Sequence, residues 1–351
     1  MPATTIGATG AKATTAGALV GLLLLAGCTN VNGSLSTIPS TPSPAAATSL
    51  PAAGTTASPE AAIPHIAAAS GNPGSIPSSS TTVLLEGETN GITVCDGSVW
   101  VAVGAPRDAE VRIDPDSGGV VGEIEGGSNL ACLDDEPWVA VGGAEIRHLD
   151  PDTMETIASV PVSTYYVGTG AGSVWAPSGG DVVRIDPETA KVVATIPIHS
   201  YFDVTEVEGN EQAVWATVKQ ADMVYRIDPT TNAVVADVAA GAFAHGILVQ
   251  SGAVWISNGH EESLTRIDPA TNGSLFVDGT GSGVGLAEGN GSVWASSRDG
   301  DIFRVDPTTS QAVPLVHVDG WPYGIAATSS ALWFSDGIVS AYGVPFSELD
   351  E

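Results

Sequence analysis

Beyond residue 80 the apolar positions alternate with a period of two, and Gly, Asp, Asn and Pro interrupt them every few residues. That pattern predicts short antiparallel strands, not helices. A Trp recurs at Trp100, Trp138, Trp175, Trp215, Trp255, Trp294 and Trp333, at intervals of 37 to 40 residues. Near-identical text introduces most of them, as in Gly97-Ser98-Val99-Trp100, Gly172-Ser173-Val174-Trp175, Gly252-Ala253-Val254-Trp255 and Gly291-Ser292-Val293-Trp294. The first copy resolves into four expected strands: Gly91 to Cys95, Val99 to Val103, Glu110 to Asp114 and Val120 to Glu125. Seven copies of about forty residues, each with four short strands, predict an all-β, seven-bladed β-propeller of four-stranded antiparallel blades over residues 81–345.

The third strand of a copy ends in Arg112-Ile113-Asp114-Pro115, echoed by Arg184 to Pro187, Arg226 to Pro229, Arg266 to Pro269 and Arg304 to Pro307, and by His148-Leu149-Asp150-Pro151. Pro presets a tight turn, and the Asp carboxylate can accept backbone N–H groups two residues on. Two apart on a strand, Arg and Asp share a face, so the Arg is expected either on the Asp or over a neighbouring Trp ring. The seventh copy lacks a fourth strand. Thr81 to Glu86 precedes the first complete copy and occupies that place, so the N-terminal strand should complete the C-terminal blade and remove both edges. Residues 346–351 are expected as an acidic tail.

With its G-x-V-W and R-I-D-P text, the repeat resembles the YVTN-type and virginiamycin B lyase-like propellers of bacteria. The resemblance implies the fold over the whole repeat region. It also implies two functional classes, since the group includes proteins without assigned chemistry beside a metal-dependent lyase that linearises a cyclic peptide. His260-Glu261-Glu262 is the nearest text to that lyase's Glu and His cluster, and no catalytic residue is carried over from it.

The N-terminal region differs in kind. An apolar stretch from Ala16 to Gly27 ends in Leu25-Ala26-Gly27-Cys28, which resembles the lipobox of bacterial lipoproteins. By that resemblance residues 1–27 are a signal peptide and Cys28 is lipidated, so the protein is expected at the cell membrane, anchored by lipid alone on the extracytoplasmic side. Residues 28–80, rich in Pro, Ser, Thr and Ala, read as a disordered linker. Lys and Arg total 11 against 40 Asp and Glu, and only Lys12 and Glu60 of these fall in the first 80 residues. An acidic propeller repels phosphate backbones, so nucleic acid is not an expected partner.

A residue present in every blade serves the scaffold, whereas a functional residue should be singular. In the loops before the first strand of each blade, singular residues are Asn90, Asn129, Tyr165 with Tyr166, His199 to Asp203 including Tyr201, Phe243 with His245, and Trp321 with Tyr323. These are the expected ligand-binding set at the channel mouth, with Asp203, His245 and Tyr323 exposed to solvent. Other loops on that face add Arg107, Asp108, Lys219, Arg298, Asp299 and Asp336. No cofactor is expected. A divalent metal is left open, with His199, His245 and His260 beside Asp203, Glu261 or Glu262 as candidates and His245, His260 and Glu261 foremost. Cys95 lies five residues before its Trp and Cys132 six before its own, which suggests opposite faces and two free thiols. The expected function is a monomeric binding or interaction propeller of the cell envelope, taking a protein, peptide or glycan. The alternative is a metal-dependent lyase or hydrolase at the same face.

Overall fold

The computed structural model describes residues 62–198, 200–250 and 252–349. The signal peptide, Cys28, the linker as far as residue 61, His199 and the last two acidic residues lie outside the described residues. Seven antiparallel sheets follow one another along the chain, and four strands of each form a blade. Blade 1 is Gly87–Cys95, Ser98–Pro106, Ala109–Ile113 and Val120–Glu125, close to the expected strands. Blade 2 runs from Gly127–Leu133 to Thr156–Val160, blade 3 from Gly168–Gly170 to Lys191–Pro197, and blade 4 from Val207–Gly209 to Ala233–Ala239. Blade 5 runs from Ala244–Gln250 to Gly273–Asp278 and blade 6 from Gly283–Gly289 to Ala312–His317. Blade 7 contributes Ile325–Ala327, Ala331–Ser335 and Ser340–Pro345, and its fourth strand is Thr81–Leu84, antiparallel to Ser340–Pro345. The protein is therefore a seven-bladed β-propeller closed by its N-terminal strand. Among the described residues no helix is long and apolar enough to cross a membrane.

The interior is divided among the seams between blades. Seven apolar clusters lie there, each drawn from two successive blades and each holding one Trp. All seven Trp side chains are essentially inaccessible, at 0 or 1 % exposure. Directly across from each Trp, on the third strand, stands the residue of the R-I-D-P motif: Arg112 faces Trp100, His148 faces Trp138, and Arg184, Arg226, Arg266 and Arg304 face Trp175, Trp215, Trp255 and Trp294. Four guanidinium groups lie 5.2 to 5.8 Å from the centre of their own Trp ring. His148 stacks on Trp138 at 4.3 Å. At the seventh seam the facing residue is Gly343, where a Cβ would come within 2.5 Å of the Trp333 ring.

Of the two roles expected for the Arg, it takes the ring and then reaches onward to the next blade. Arg184 donates to the carbonyl of Pro229 at 2.6 Å and Arg226 to that of Pro269 at 2.6 Å. Arg112 donates to the carbonyl of Pro151. Each of these acceptors is the Pro of the following blade's Asp-Pro turn. The Asp is occupied as expected: Asp114 accepts backbone N–H groups from Asp116 and Ser117 at 3.0 and 2.9 Å, and the turn Asp of blades 2 to 6 likewise accepts from the backbone of its own turn. Those backbone donors hold the turn carboxyls below the usual aspartate range.

Three expectations need correction. Cys95 and Cys132 form a disulfide with Cα atoms 5.4 Å apart. Blades stack face to face, so two strands meet across a seam through opposite faces. Cys95 is two residues beyond Thr93, the partner of Trp100, and faces blade 2; Cys132 is one beyond Ala131, the partner of Trp138, and faces back to blade 1. The opposite parity is the condition for the bond. The linker does not run free to residue 80, because His65–Ala67 pairs in parallel with the outer strand of blade 5 and Gly74–Ser75 with that of blade 6. Finally, the start of the C-terminal tail is docked, with Phe346 and Leu349 buried at the seam of blades 6 and 7.

Removal of residues 81–86 takes buried Val83 and Leu85 from the seam of blades 7 and 1 and bares the edge of Ser340–Pro345. Thermal unfolding should then show the whole ring destabilised by at least about 3 kcal/mol. A melting temperature equal to the parent's would contradict closure by this strand.

Candidate functional site

The first strand of each blade lines the channel, and its entry residue sits nine or ten positions before the Trp. Counted this way, one register contains Asn90, Asn129, Tyr166, Glu206, His245 and Tyr323, with residue 284 in blade 6. Ladder irregularities fall at several of these points, between Thr89 and Ile92, Gly127 and Asn129, and Ala244 and Ile247. Bulges of this kind re-aim a side chain out of the regular alternation. Hydroxyls on the second strands anchor the backbone: Thr217 donates to the carbonyl of His245 at 3.2 Å, Ser296 to Tyr323 at 3.4 Å and Ser335 to Asn90 at 3.2 Å.

All six of these side chains line one cavity of about 410 Å³ at the channel mouth, together with Tyr165 and Asp108. A second cavity of about 350 Å³ shares Asn129, Tyr166, Glu206 and Ile247 with it and continues down the channel past Thr93, Thr169 and Glu208. His245 is buried, at 3 % exposure. Its Nε2 lies 3.2 Å from the Tyr323 hydroxyl, and its Nδ1 lies 3.1 Å from Glu206 Oε1 but outside hydrogen-bond alignment. Burial, followed by the charge of nearby Glu206 and the phenol of Tyr323, raises Tyr166 beyond the ordinary phenol range. Burial likewise pushes Glu208 up to about 8, with Glu206 adding to it and the Val249 N–H opposing it. Three phenols, two amides, an imidazole and two carboxylates therefore converge on a space that suits a small polar molecule or the end of a chain.

Of the expected ligand set, Asn90, Asn129, Tyr165, His245 and Tyr323 come together at this cavity. Tyr201, Asp203, Phe243 and Trp321 do not line it. Tyr201 is 97 % exposed and Trp321 62 % exposed, out on the loops. Phe243 stacks on His260 with ring centres 4.1 Å apart. Tyr166 is drawn into the mouth beside Tyr165, and Glu206 takes the place expected of Tyr201 and Asp203; counting back from the Trp is the signal that finds both. His245 was expected in solvent and is instead packed between Glu206 and Tyr323. The metal candidates do not converge, since His260 is on Phe243, Glu261 is exposed and His245 faces the channel. Among the described residues no group of three or more His, Cys, Asp or Glu could hold a metal ion.

Behind the mouth wall stands a residue that the sequence did not single out. Glu110 occupies the third-strand position two before the Arg, where the corresponding residues are Ile146, Val182, Val224, Leu264, Ile302 and Ala341. It faces the seam of blades 1 and 2 beneath Gly127, where a Cβ would fall 2.5 Å from that of Glu110. At 1 % exposure, with Oε2 unpartnered, its carboxyl is pushed by burial up to about 8.

Solved structures with the same architecture include virginiamycin B lyase from Staphylococcus aureus, 16 % identical with a TM-score of 0.65, covering 75 % of this chain and 98 % of that one. A chain of the mitotic checkpoint complex is 12 % identical with a TM-score of 0.67, covering 79 % of this chain and 96 % of the other. U3-55K is 9 % identical with a TM-score of 0.63, covering 75 % and 98 %. At such identities the likeness is one of fold. A family model described as a domain of unknown function (DUF5074) matches residues 143–276, from the end of the second strand of blade 2 into the last strand of blade 5. No curated protein sequence matches the chain.

Because Glu110 keeps its proton in the folded state up to about 8 while the unfolded carboxyl ionises near 4.5, its contribution is fully present below the lower value and is lost as pH rises through the window. Between those limits the wild type should lose stability relative to Glu110→Gln by on the order of a few kcal/mol, measured by urea unfolding. Parallel pH profiles for the two proteins would refute this placement of the carboxyl.

Proposed function

We propose that this chain is a binding module of the bacterial cell envelope, lipid-anchored at Cys28 on the extracytoplasmic side, which holds a peptide, glycan or protein segment at the channel mouth. The observation that carries the binding assignment is the convergence of Asn90, Asn129, Tyr166, Glu206, His245 and Tyr323, each singular and each from a different blade, on one cavity. A scaffold has no use for Asn, Tyr, Glu and His interchanged among six blades at one register. The Leu25-Ala26-Gly27-Cys28 text supports the anchor, and the Cys95–Cys132 disulfide suits an oxidising compartment outside the cytoplasm. The protein acts as a monomer in this account, with the membrane engaged through lipid only.

A second reading makes the mouth a lyase or hydrolase site. It is favoured by a buried imidazole set between a carboxylate and a phenol and by the fold shared with virginiamycin B lyase. The two readings part on turnover: a binder returns its ligand unchanged, and an enzyme does not.

The full-length protein melted with cell-wall peptides and glycans tests the proposal. A ligand at one hundred times its Kd should add about 2.7 kcal/mol of stability. Tyr323→Phe and Asn90→Ala should each weaken binding by about 1 to 3 kcal/mol while the ligand is recovered intact. A ligand whose affinity ignores both substitutions would overturn the mouth as its site.

A further inference from the structure

We infer that the ligand of the channel mouth is a peptide with a primary ammonium group, which docks on Glu206 beside Tyr165 and Tyr166; this rests on the binding reading above. Glu206 lines both cavities, so its carboxylate stands where the mouth passes into the channel. Among the described residues no Lys or Arg lines either cavity. The cations on this face, Lys219 and Arg298, rest on the rings of Phe243 and Tyr323, at 5.4 and 5.7 Å from the ring centres. No Lys or Arg of the described residues stands within 4.0 Å of Glu206.

The carboxylate is withdrawn from most of its water and lacks a partner. Its side chain is 20 % exposed. The hydrogen bonds of this residue run through its backbone, to and from the Thr217 hydroxyl, and among the described residues no donor is aligned on the carboxylate. The nearest group, His245 Nδ1 at 3.1 Å from Oε1, is out of alignment and is itself buried without a partner, although the His245 ring lines the same cavity. A half-buried charge without a donor is costly in the free protein. Its surroundings register it: Glu206 adds to the burial that raises Tyr166 and Glu208, and it pulls on Lys219 from a distance.

The missing member of this site is a cation. Tyr165 and Tyr166 line the mouth, and among the described residues neither ring carries a cation, so both are open to one. Asp108, exposed at the rim, and the net charge of −29 draw positive ligands toward the opening. With the His245 ring against Oε1, one carboxylate oxygen is left for the ligand, which suits the point charge of an ammonium better than the two-pronged guanidinium. Because Glu206 stands at the junction of the two cavities, a nitrogen on a flexible stem reaches it more readily than one fixed directly to a sugar ring. A peptide N-terminus and the end of a lysine-type side chain both present such a nitrogen.

Calorimetric titration of the full-length protein tests this with matched pairs: alanyl-alaninamide against its N-acetyl form, and Nα-acetyl-lysinamide against its Nε-acetyl derivative. At least one free amine should bind at least about tenfold more tightly than its acetylated partner, and the pair that discriminates identifies the source. Glu206→Gln should abolish that discrimination without lowering the melting temperature. Asp203→Asn, which removes an exposed charge three residues away, should leave it intact; an equal loss in both variants would overturn the docking on Glu206 in favour of the general acidic field. Equal affinity for free and acetylated forms overturns the ammonium; if that binding is still weakened by Asn90→Ala, the mouth reading survives without it. Absence of binding by either amine up to about 10 mM also overturns it. Discrimination between glucosamine and N-acetylglucosamine alone overturns the peptide. Amine binding that ignores Glu206→Gln, Asn90→Ala and Tyr323→Phe alike overturns both this site and the mouth reading.

Discussion

The ring depends on a buried Trp at every seam, and in blades 1, 3 and 4 on a fuller unit: an Arg from the neighbouring strand over the Trp ring, with the turn carbonyl of the next blade at the end of its reach. Trp supplies the apolar area that a thin four-stranded sheet cannot find within itself. The guanidinium covers the indole and its remaining N–H groups satisfy a turn that would otherwise face the seam, as Arg184 does with Pro229 and Asn232. Because the Asp of that turn is consumed by its own backbone, the Pro carbonyl is left to accept. Recurrence of the text therefore follows from geometry. Each blade must present one face to the blade before it and a different face to the blade after.

The first strand of each blade gives its later residues to the seams, as Ile92, Leu130 and Ile325 show, while the residue at its entry lies outside the apolar clusters. Its entry residue is free to differ from blade to blade, and six blades present Asn, Asn, Tyr, Glu, His and Tyr there. The bulges that break the ladder at these points aim those side chains at the channel. Scaffold and site are thus separated by position on the blade, not by region of the chain.

This separation explains what was legible in the sequence. Trp spacing, the Asp-Pro turns and the orphan N-terminal strand are local signals repeated many times, and they were enough for the architecture and its closure. The site was half legible. Asn90, Asn129, Tyr165, His245 and Tyr323 stand out as singular and line the mouth, whereas Tyr201, Asp203, Phe243 and Trp321 are as singular in chemistry but do not share the register counted from the Trp, and loop residues out of register lie elsewhere. Glu110 was illegible as anything but a strand residue, since its oddness appears only beside the apolar residues of the other six blades. Opposite parity of Cys95 and Cys132 suggests separation when a strand is read alone, whereas in a ring of stacked sheets it brings the two side chains together. The His65–Ala67 and Gly74–Ser75 strands carry almost no apolar pattern of their own; they are held by the open outer edges of blades 5 and 6.

The central claim is that the Arg ties its own blade to the next through both the ring and the turn. Arg226→Met keeps an unbranched side chain over Trp215 in the seam, but removes the guanidinium whose Nη1 donates to the Pro269 carbonyl and to Asn272 Oδ1 at 2.6 and 2.9 Å. Urea unfolding of this variant should show a single transition with stability lowered by about 1 to 3 kcal/mol and an unchanged slope. A midpoint equal to that of the wild type would contradict the account.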